Sequence, residues 1–313
     1  MPTRRERIEG GLIGLLVGDA LGVPYEFHAP GAIPRASAIE FEPPAGFRRA
    51  HGGTPPGTWS DDGAQALALL ASLLACGRLD PEDLGRRLLG WYDRGELAVD
   101  ARVYDCGIQT SLALRALRDG VPATEAGPSS EQANGNGSLM RVLPLALWHR
   151  GTDAELVADA RAQSRVTHGH VRSQACCALY CLWARGVLDA VPRPWEAATS
   201  ALRAIAQGNP PLLAEVEGSI RPDAPPGGKG SGYVLDCLQS ARWATHAGGF
   251  EAVVKAAISL GNDTDTTACV AGGIAGLRDG VGAIPERWRL GLRGRELVDP
   301  LLRGLLAREE PAT

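Results

Sequence analysis

The amino-acid sequence predicts an all-α protein, folded as a compact single-domain orthogonal helical bundle over residues 1–313. Apolar residues recur with helical spacing in eight segments, and no alternating strand pattern is comparably strong. The composition agrees, because runs rich in Ala and Leu dominate while the chain has only ten Ile and eighteen Val. With 313 residues, 44% of them hydrophobic, the chain is long enough to bury a sizeable core.

The predicted helices are separated by segments rich in turn residues. Loops are expected at 43–57, 119–137 and 221–232, and the Pro-rich stretch 191–195 marks another connection. Apolar helices flank every loop, so no linker between domains is predicted. The segments 64–75 and 175–184 are apolar on nearly every face, which predicts a central position. The eight helices are expected near residues 8–21, 63–76, 107–118, 139–149, 171–185, 233–246, 250–260 and 266–277.

Glycines inside the first and last predicted helices require a reason, because each costs about 1 kcal/mol relative to alanine. Gly14 and Gly18 share one face of the first helix, and Gly272 and Gly276 share one face of the last. Small residues on one face allow a neighbouring helix or a ligand to come close. The sequence leaves both possibilities open.

Charge and cysteine content indicate which partners and which cellular location to expect. A net charge of -4 and a pI near 5.9 give no basic footprint, so nucleic acid is not an expected partner. The seven cysteines are odd in number and mostly lie in helical patterns, which predicts reduced core thiols and a cytoplasmic protein. The amino terminus superficially resembles a signal peptide. Because Glu9 and Asp19 flank its short apolar run and no cleavage site follows, we expect a core helix and no membrane partner.

Two acidic clusters each stand immediately before a strongly apolar helix. They are residues 58–62 (TWSDD) and residues 262–266 (NDTDT). Ser, Thr and Asp are common helix N-caps, and this would explain either cluster alone. However, a cap needs one side-chain oxygen, and each cluster offers two carboxylates and at least one hydroxyl. These oxygens are the ligands that Mg²⁺ and Mn²⁺ prefer.

The positive end of a helix dipole repels a cation, so a metal between two helix N-termini requires several carboxylates. If the two helices pack side by side, the clusters can surround a pair of metals about 3.5 to 4 Å apart. This hypothesis requires segments about two hundred residues apart in sequence to meet. The expected ligands are Ser60, Asp61, Asp62, Asp263, Asp265 and Thr266.

At this point the sequence resembles the ADP-ribosylglycohydrolase family, including its dinitrogenase-reductase-activating branch. The matching segments run nearly end to end and keep their order, which makes the resemblance specific. They are residues 18–22 (GDALG), 58–62, 134–141 (NGNGSLMR), 167–168 (TH), 231–234 (SGYV) and 261–266 (GNDTDT).

The resemblance implies an all-α bundle with a dinuclear metal cleft, holding two Mg²⁺ or Mn²⁺ ions on the six ligands named above. It also implies hydrolysis of the bond between C1 of the distal ribose of ADP-ribose and an acceptor. Such cleavage builds oxocarbenium character, so a carboxylate must activate water or stabilise the charge. By analogy, the metals bind the ribose hydroxyls and lower the pKa of a water molecule.

Two carboxylates match catalytic positions of the family. Asp105 matches the acid of the dinitrogenase-reductase-activating branch, but it can equally cap the helix from Gly107. Glu26 matches the flap glutamate of the serine-specific branch, but it can also be a solvated loop acid. Asp61 joins the catalytic set as a metal ligand. We expect Asp19 to bind nearby backbone rather than orient a water molecule.

A further group of residues is expected to bind ADP-ribose. Glycines in residues 134–141 let backbone N–H groups approach a diphosphate, although a helix-initiating turn capped by Ser138 is the alternative. His168 matches a family histidine near the phosphates. Tyr233 can stack on adenine or simply pack at a helix start. The expected contacts are Asn134, Asn136, Gly137, Ser138, Arg141, His168 and Tyr233.

The expected function is metal-dependent removal of ADP-ribose from a modified acceptor, with arginine-linked protein as the first choice, by a monomeric enzyme. Free ADP-ribose is then a product and an inhibitor. The alternatives are hydrolysis of serine-linked or nucleobase-linked ADP-ribose or of O-acetyl-ADP-ribose. A noncatalytic ADP-ribose-binding protein and a nucleotide phosphohydrolase also remain open, and release of AMP would identify the latter.

Overall fold

The structure is a computed structural model that describes residues 1–309, and in this range it contains fourteen α-helices and no β-strand. The predicted all-α fold is confirmed. The helices are α1 (Arg4–Gly22), α2 (Asp61–Cys76), α3 (Pro81–Arg94), α4 (Ile108–Arg118), α5 (Leu143–Trp148), α6 (Asp153–Arg165), α7 (Val171–Leu188), α8 (Pro194–Ala206), α9 (Pro210–Ala214), α10 (Val234–Ala244), α11 (Phe250–Ser259), α12 (Thr264–Asp279), α13 (Glu286–Gly291) and α14 (Arg295–Ala307).

Each of the eight predicted helices is present, and those predicted over 107–118, 139–149, 233–246 and 250–260 are shorter than expected. The helix predicted over 139–149 begins at Leu143, because the preceding residues form a turn in which the carbonyl of Asn136 accepts the N–H groups of Leu139 and Met140. The predicted loops contain no α-helix, but the Pro-rich connection ends at Arg193 and α8 begins at Pro194. Six α-helices were not predicted: α3, α6, α8, α9, α13 and α14.

One buried apolar cluster extends from α1 to α14. The segment Arg4–Tyr25 is long and apolar enough to cross a membrane. However, 94% of its apolar 18-residue stretch is buried inside the protein. The first helix is therefore a core helix, as expected. All seven cysteines are free; five are buried, whereas Cys76 and Cys106 are partly exposed.

The glycines of α1 and α12 bring the two helix backbones into direct contact. A Cβ atom added at Gly14 would lie 2.5 Å from the carbonyl oxygen of Gly272, and one added at Gly18 would lie 2.1 Å from that of Ala268. A Cβ at Gly22 would lie 2.3 Å from the Cα of Asp265. The two helices are therefore antiparallel, and the end of α1 lies beside the start of α12. Of the two possibilities left by the sequence, the glycines accommodate a helix.

The start of α2 is held against α1 by Asp19. This buried carboxylate accepts the N–H of Ser60 at 2.9 Å and the N–H of Gly63 at 2.8 Å. Both donors are free N–H groups of a helix N-terminus, where a carboxylate is favoured by the helix dipole. Asp19 therefore binds backbone, as expected. Helix α1 positions the starts of α2 and α12 together.

Candidate active site

A cleft of about 300 Å³ opens where the starts of α2 and α12 meet. Its floor carries the carboxylates of both helix starts, and its walls come from the turn after α1, the start of α4 and the loop before α5. The side chains and backbone that line it belong to Glu26, Asp61, Asp62, Asp105, Gly107, Ile108, Gln109, Thr110, Gly135, Asn136, Gly137, Met140, His168, Gly232, Asp263 and Thr266.

The α2 side of the floor is formed by Ser60, Asp61 and Asp62, all of them buried. Ser60 caps α2, because its hydroxyl accepts the N–H of Asp62 at 3.2 Å. Asp61 Oδ2 accepts a hydrogen bond from Gln65 Nε2 at 2.9 Å, one turn further along the helix. Only Ser60 therefore serves as a cap. The two carboxylates bond other side chains: Asp61 bonds Gln65, and Asp62 bonds Thr266 of α12.

The α12 side is formed by Asp263, Asp265 and Thr266. Asn136 Nδ2 donates to Asp263 Oδ2 at 2.8 Å, and the N–H of Thr266 donates to Asp265 Oδ1 at 2.9 Å. The hydroxyl of Thr266 donates to Asp62 Oδ1 at 3.2 Å, which joins residues 204 positions apart. The two acidic clusters are therefore in direct contact, as the hypothesis required.

Three carboxylate oxygens on this floor have no hydrogen-bond partner although they are buried: Asp62 Oδ2, Asp263 Oδ1 and Asp265 Oδ2. Burial, together with the neighbouring acidic charges, raises the pKa of Asp62 and Asp265 well above the ordinary aspartate value. Oxygens of Glu26, Asp263 and Asp265 lie within 4.8 Å of one another. Unsatisfied buried carboxylates are costly unless a cation neutralises them, so this donor set fits a divalent metal.

Glu26, His51 and Asp105 stand together at one wall of the cleft. His51 Nε2 lies 2.5 Å from Glu26 Oε2 and 4.0 Å from Asp105 Oδ1. Burial first, and then the charges of Asp105 and Asp263, raise the pKa of Glu26 to about 11, so Glu26 is not a solvated loop acid. Asp105 does not cap α4 either, because the N-cap is Gly107.

The loop before α5 forms the opposite wall. Its backbone pairs with residues 232–234, since the N–H of Asn136 donates to the carbonyl of Gly232 and the N–H of Val234 donates to the carbonyl of Asn134. A Cβ atom at Gly137 would lie 2.9 Å from His168 Cε1. The loop therefore needs glycine to lie against the imidazole.

Four residues expected to touch ADP-ribose do not line the cleft. Asn134 and Ser138 are buried and hydrogen-bonded to Ser173 and Ser164, respectively. Arg141 is fully buried, and all its hydrogen bonds lie within the protein. Tyr233 is 39% exposed, and its hydroxyl accepts from Arg172 Nη1 at 3.1 Å. These side chains support the wall from behind or from its edge.

The residues missed from the sequence include three that hold polar groups of the site in place: Gln65, Gln109 and His51. Gln65 follows Asp61 by four residues, so helical spacing could have indicated it. Gln109 Oε1 accepts the N–H of Gly135 at 3.0 Å, a contact between distant segments with no local signal. His51 reaches Glu26 from a loop in which its own φ is 50°, and nothing in residues 43–57 indicates this.

The fold and the cleft define a class: an all-α protein with a carboxylate-lined, metal-competent cleft between two helix N-termini. The sequence model of the ADP-ribosylglycohydrolase family matches residues 1–312. The chain belongs to this family, whose members are hydrolases acting on glycosyl bonds, and it is an ADP-ribosyl-acceptor hydrolase.

Relatives and a solved structure agree with this assignment. The chain is 30% identical to ADP-ribosylarginine hydrolase Tri1 of Pseudomonas putida, over 90% of this chain and 73% of the relative. It is also 30% identical to ADP-ribosyl-[dinitrogen reductase] glycohydrolase of Rhodospirillum rubrum, over 92% and 90%. A solved structure described as an ADP-ribosylglycohydrolase-related protein complex aligns with a TM-score of 0.76 at 34% identity, covering 98% of this chain and 99% of that one.

Proposed function

We propose that the protein is a divalent-metal-dependent hydrolase that releases ADP-ribose from arginine-linked acceptors on proteins. The observation that carries this proposal is the contact between the two acidic helix starts, with three buried carboxylate oxygens left unsatisfied. Similarity to an ADP-ribosylarginine hydrolase supports arginine as the acceptor. The unpaired state of all seven cysteines supports a cytoplasmic location.

Ser60, Asp61, Asp62, Asp263, Asp265 and Thr266 are the residues that would hold two Mg²⁺ or Mn²⁺ ions. Such ions supply Lewis acidity, which orients the ribose hydroxyls and lowers the pKa of a water molecule. The chain itself contributes the negative charge that offsets the two positive helix ends. Gln65 and Asn136 orient Asp61 and Asp263 by donating to one oxygen of each.

Asp105 is our choice for the carboxylate that takes the proton of the attacking water or stabilises the oxocarbenium charge. It lines the cleft, and its side chain is about a quarter exposed, so its carboxyl oxygens are accessible to substrate. Glu26 is buried deeper, and its burial together with the neighbouring acidic charges raises its pKa. An oxygen of Glu26 lies within 4.8 Å of oxygens of Asp263 and Asp265, which favours a role for Glu26 in the metal centre or the floor.

The opposite wall provides the groups for the ADP-ribose half. Asn136 and Gly137 offer an amide and an approachable backbone, and His168 presents an imidazole edge beside them. We infer that the cleft recognises ADP-ribose closely and the acceptor loosely, because the matched motifs surround the former. Free ADP-ribose is then a product that inhibits.

The test is an assay of purified protein with arginine-, serine- and nucleobase-linked ADP-ribose. Mg²⁺ or Mn²⁺ is supplied first and a chelator is added afterwards, and the products are identified by mass spectrometry. We expect ADP-ribose release from the arginine-linked substrate and its loss on chelation. Turnover that survives the chelator contradicts the metal mechanism, and release of AMP instead identifies a phosphohydrolase.

A further inference from the structure

Arg141 is a buried cation with no acidic partner in contact. Its side chain is fully buried, and among residues 1–309 its guanidinium group forms no ion pair with a carboxylate. All its acceptors are neutral oxygens, with Nε donating to Gln163 Oε1 at 3.0 Å and Nη2 donating to the Gln163 carbonyl at 2.8 Å. Burying a charge in this way is costly, so its position requires a reason beyond packing.

One branch of hydrogen bonds leads from Arg141 to the α2 cluster. Arg141 Nη1 donates to Gln65 Oε1 at 3.0 Å, and Gln65 Nε2 donates to Asp61 Oδ2 at 2.9 Å. A guanidinium can only donate, so the oxygen of the Gln65 amide must face Arg141 and its NH₂ must face Asp61. Arg141 therefore fixes the orientation of a group that holds a carboxylate of the cleft floor.

A second branch leads from the same nitrogen to His168. Arg141 Nη1 donates to Thr167 Oγ1 at 2.8 Å, and Thr167 Oγ1 lies 2.8 Å from His168 Nδ1. The Thr167 oxygen accepts from Arg141, and His168 Nδ1 is its only other partner among the described residues, so the hydroxyl proton points to Nδ1. A neutral imidazole that accepts at Nδ1 carries its proton on Nε2. Burial and the nearby Arg141 charge lower the pKa of His168 to about 3, which keeps the ring neutral.

We propose that Arg141 is a positioning residue that acts through two arms: through Gln65 it orients Asp61, and through Thr167 it holds His168 as the Nε2–H tautomer facing the cleft. Through the second arm the protein presents one fixed N–H donor to the anionic, diphosphate part of the ligand. This inference rests on the proposed function and deepens it, because Arg141 would link the metal side and the phosphate side of one cleft without touching either ligand.

The tautomer is tested by NMR of the metal-free protein labelled with ¹⁵N-histidine. The nitrogen shifts show which ring nitrogen carries the proton, and His168→Asn assigns the resonances by removing one histidine. We expect the proton on Nε2 in the wild type and in Thr167→Ser, which keeps the hydroxyl. Thr167→Val should give a mixture of tautomers and weaken ADP-ribose binding about 10-fold in calorimetry. A wild-type proton on Nδ1, or a Thr167→Val spectrum identical to the wild type, overturns this arm.

The Gln65 arm is tested by calorimetric titration with Mn²⁺ in the absence of substrate. Gln65→Leu should weaken Mn²⁺ binding by about 10-fold or more, as loss of a group that orients a ligand does elsewhere. The matched control is Gln174→Leu, a buried glutamine that accepts from Arg161 instead. Equal Mn²⁺ affinity of Gln65→Leu and the wild type contradicts this arm.

The link between the arms is tested with Arg141→Lys, which keeps the charge but not the fork of donors. If circular dichroism shows it folded, both the histidine tautomer and the Mn²⁺ affinity should change, and a change in neither refutes the link. If it does not fold, the Thr167 and Gln65 variants still decide. None of these measurements uses turnover, so a protein that passes them all yet hydrolyses no ADP-ribosyl bond would contradict the proposed function alone.

Discussion

At the scale of single residues, the carboxylates of the cleft floor are arranged for a cation rather than for the stability of the free chain. Asp62, Asp263 and Asp265 each keep one buried oxygen without a partner. Buried charge of one sign destabilises a fold until it is neutralised or protonated. The local cost at these residues is therefore a measurable test of the proposed metal site.

Asp265→Asn should stabilise the metal-free protein while abolishing its response to metal. The amide oxygen still accepts the N–H of Thr266, and a carboxyl whose pKa is raised by burial is replaced by a neutral amide, so we expect the free energy of unfolding to rise by about 1 kcal/mol. Urea unfolding in the presence of a chelator, and then of Mn²⁺, measures both effects. Asp279→Asn, at the other end of α12, is the control. A destabilised variant that still binds Mn²⁺ would contradict this view of Asp265.

We expect His168 to make the stability of the protein sensitive to acid. Its pKa in the folded state is about 3, below the ordinary 6.5, so the unfolded chain binds the proton more readily. Stability from this group is present above about pH 6.5 and is lost as the pH falls towards 3. Between pH 7 and 5, the free energy of unfolding should fall by about 2 kcal/mol more in the wild type than in His168→Asn. Parallel pH profiles of the two proteins would show that His168 is not buried in its neutral form.

Asp105 and Glu26 can be distinguished by kinetics and metal binding together. Asp105→Asn should lower kcat by about 100-fold or more and leave Mn²⁺ affinity unchanged, because only the proton-accepting group is lost. Glu26→Gln should weaken Mn²⁺ binding, since Glu26 lies within 4.8 Å of oxygens of Asp263 and Asp265. Turnover of arginine-linked ADP-ribose and calorimetry provide the readouts. A fully active Asp105 variant beside an inactive Glu26 variant would reverse our choice of base.

At the scale of helices, α1 positions the two helices, α2 and α12, whose first turns form the floor of the cleft. Its glycines set the register of α12, and Asp19 holds the first turn of α2. We call the contact between the backbones of α1 and α12 the α1–α12 seam. A side chain added at this seam must push α12 away and separate the two acidic clusters. The effect of such a change extends beyond packing to metal binding.

Gly18→Ala tests this role. Its Cβ would lie 2.1 Å from the carbonyl oxygen of Ala268, so we expect a loss of about 3 kcal/mol in the free energy of unfolding and weaker Mn²⁺ binding. The control is Gly208→Ala, where no atom lies within 4 Å of the added Cβ. Denaturant unfolding and Mn²⁺ titration of both variants check the prediction. Equal stability of the two would show that the helices adjust without cost.

The helices that were not predicted differ physically from those that were. Helix α6 buries few apolar side chains beyond Leu156 and Val157, and its polar face dilutes the periodicity on which the prediction relied. It does carry a capping box, in which Thr152 and Glu155 bond each other's backbone, and α3 begins with Asp80 as cap. These start signals were present in the sequence. The six-residue α13 depends on tertiary packing, with Trp288 buried against the core.

At the scale of the whole molecule, the metal should act as a ligand that stabilises the fold. Any group that binds only the native state raises the free energy of unfolding by mass action, by about 2.7 kcal/mol at a free concentration 100 times its dissociation constant. Differential scanning fluorimetry over a series of Mn²⁺ concentrations should show a rising Tm that a chelator reverses. A Tm independent of Mn²⁺ would count against the metal centre.

The sequence predicted the chemical groups of the site better than their arrangement. Ser60, Asp61 and Asp62 could be chosen because each cluster has more oxygens than a cap uses. Their contact with the start of α12 depends on which helix packs against the glycine face of α1. The spacing of the glycines alone does not determine that partner. Arg141 was expected at the ligand because the loop motif contains it, but its side chain turns inward to Gln65, Gln163 and Thr167. Only tertiary structure determines such a direction.

The backbone contact between α1 and α12 limits which positions can be substituted. Small residues at this contact must be kept, whereas exposed residues at the cleft opening can be varied. The rim of the cleft carries Phe27, which follows Glu26, and Ile108, the first residue of α4; these side chains are 71% and 79% exposed, and we expect them to influence leaving-group preference. We expect new side chains at these exposed positions to leave the carboxylates in place, because the carboxylates are fixed by the α1–α12 seam and by Asp19. A mutant library for retargeting the enzyme should therefore diversify the rim and leave every small residue of the seam unchanged.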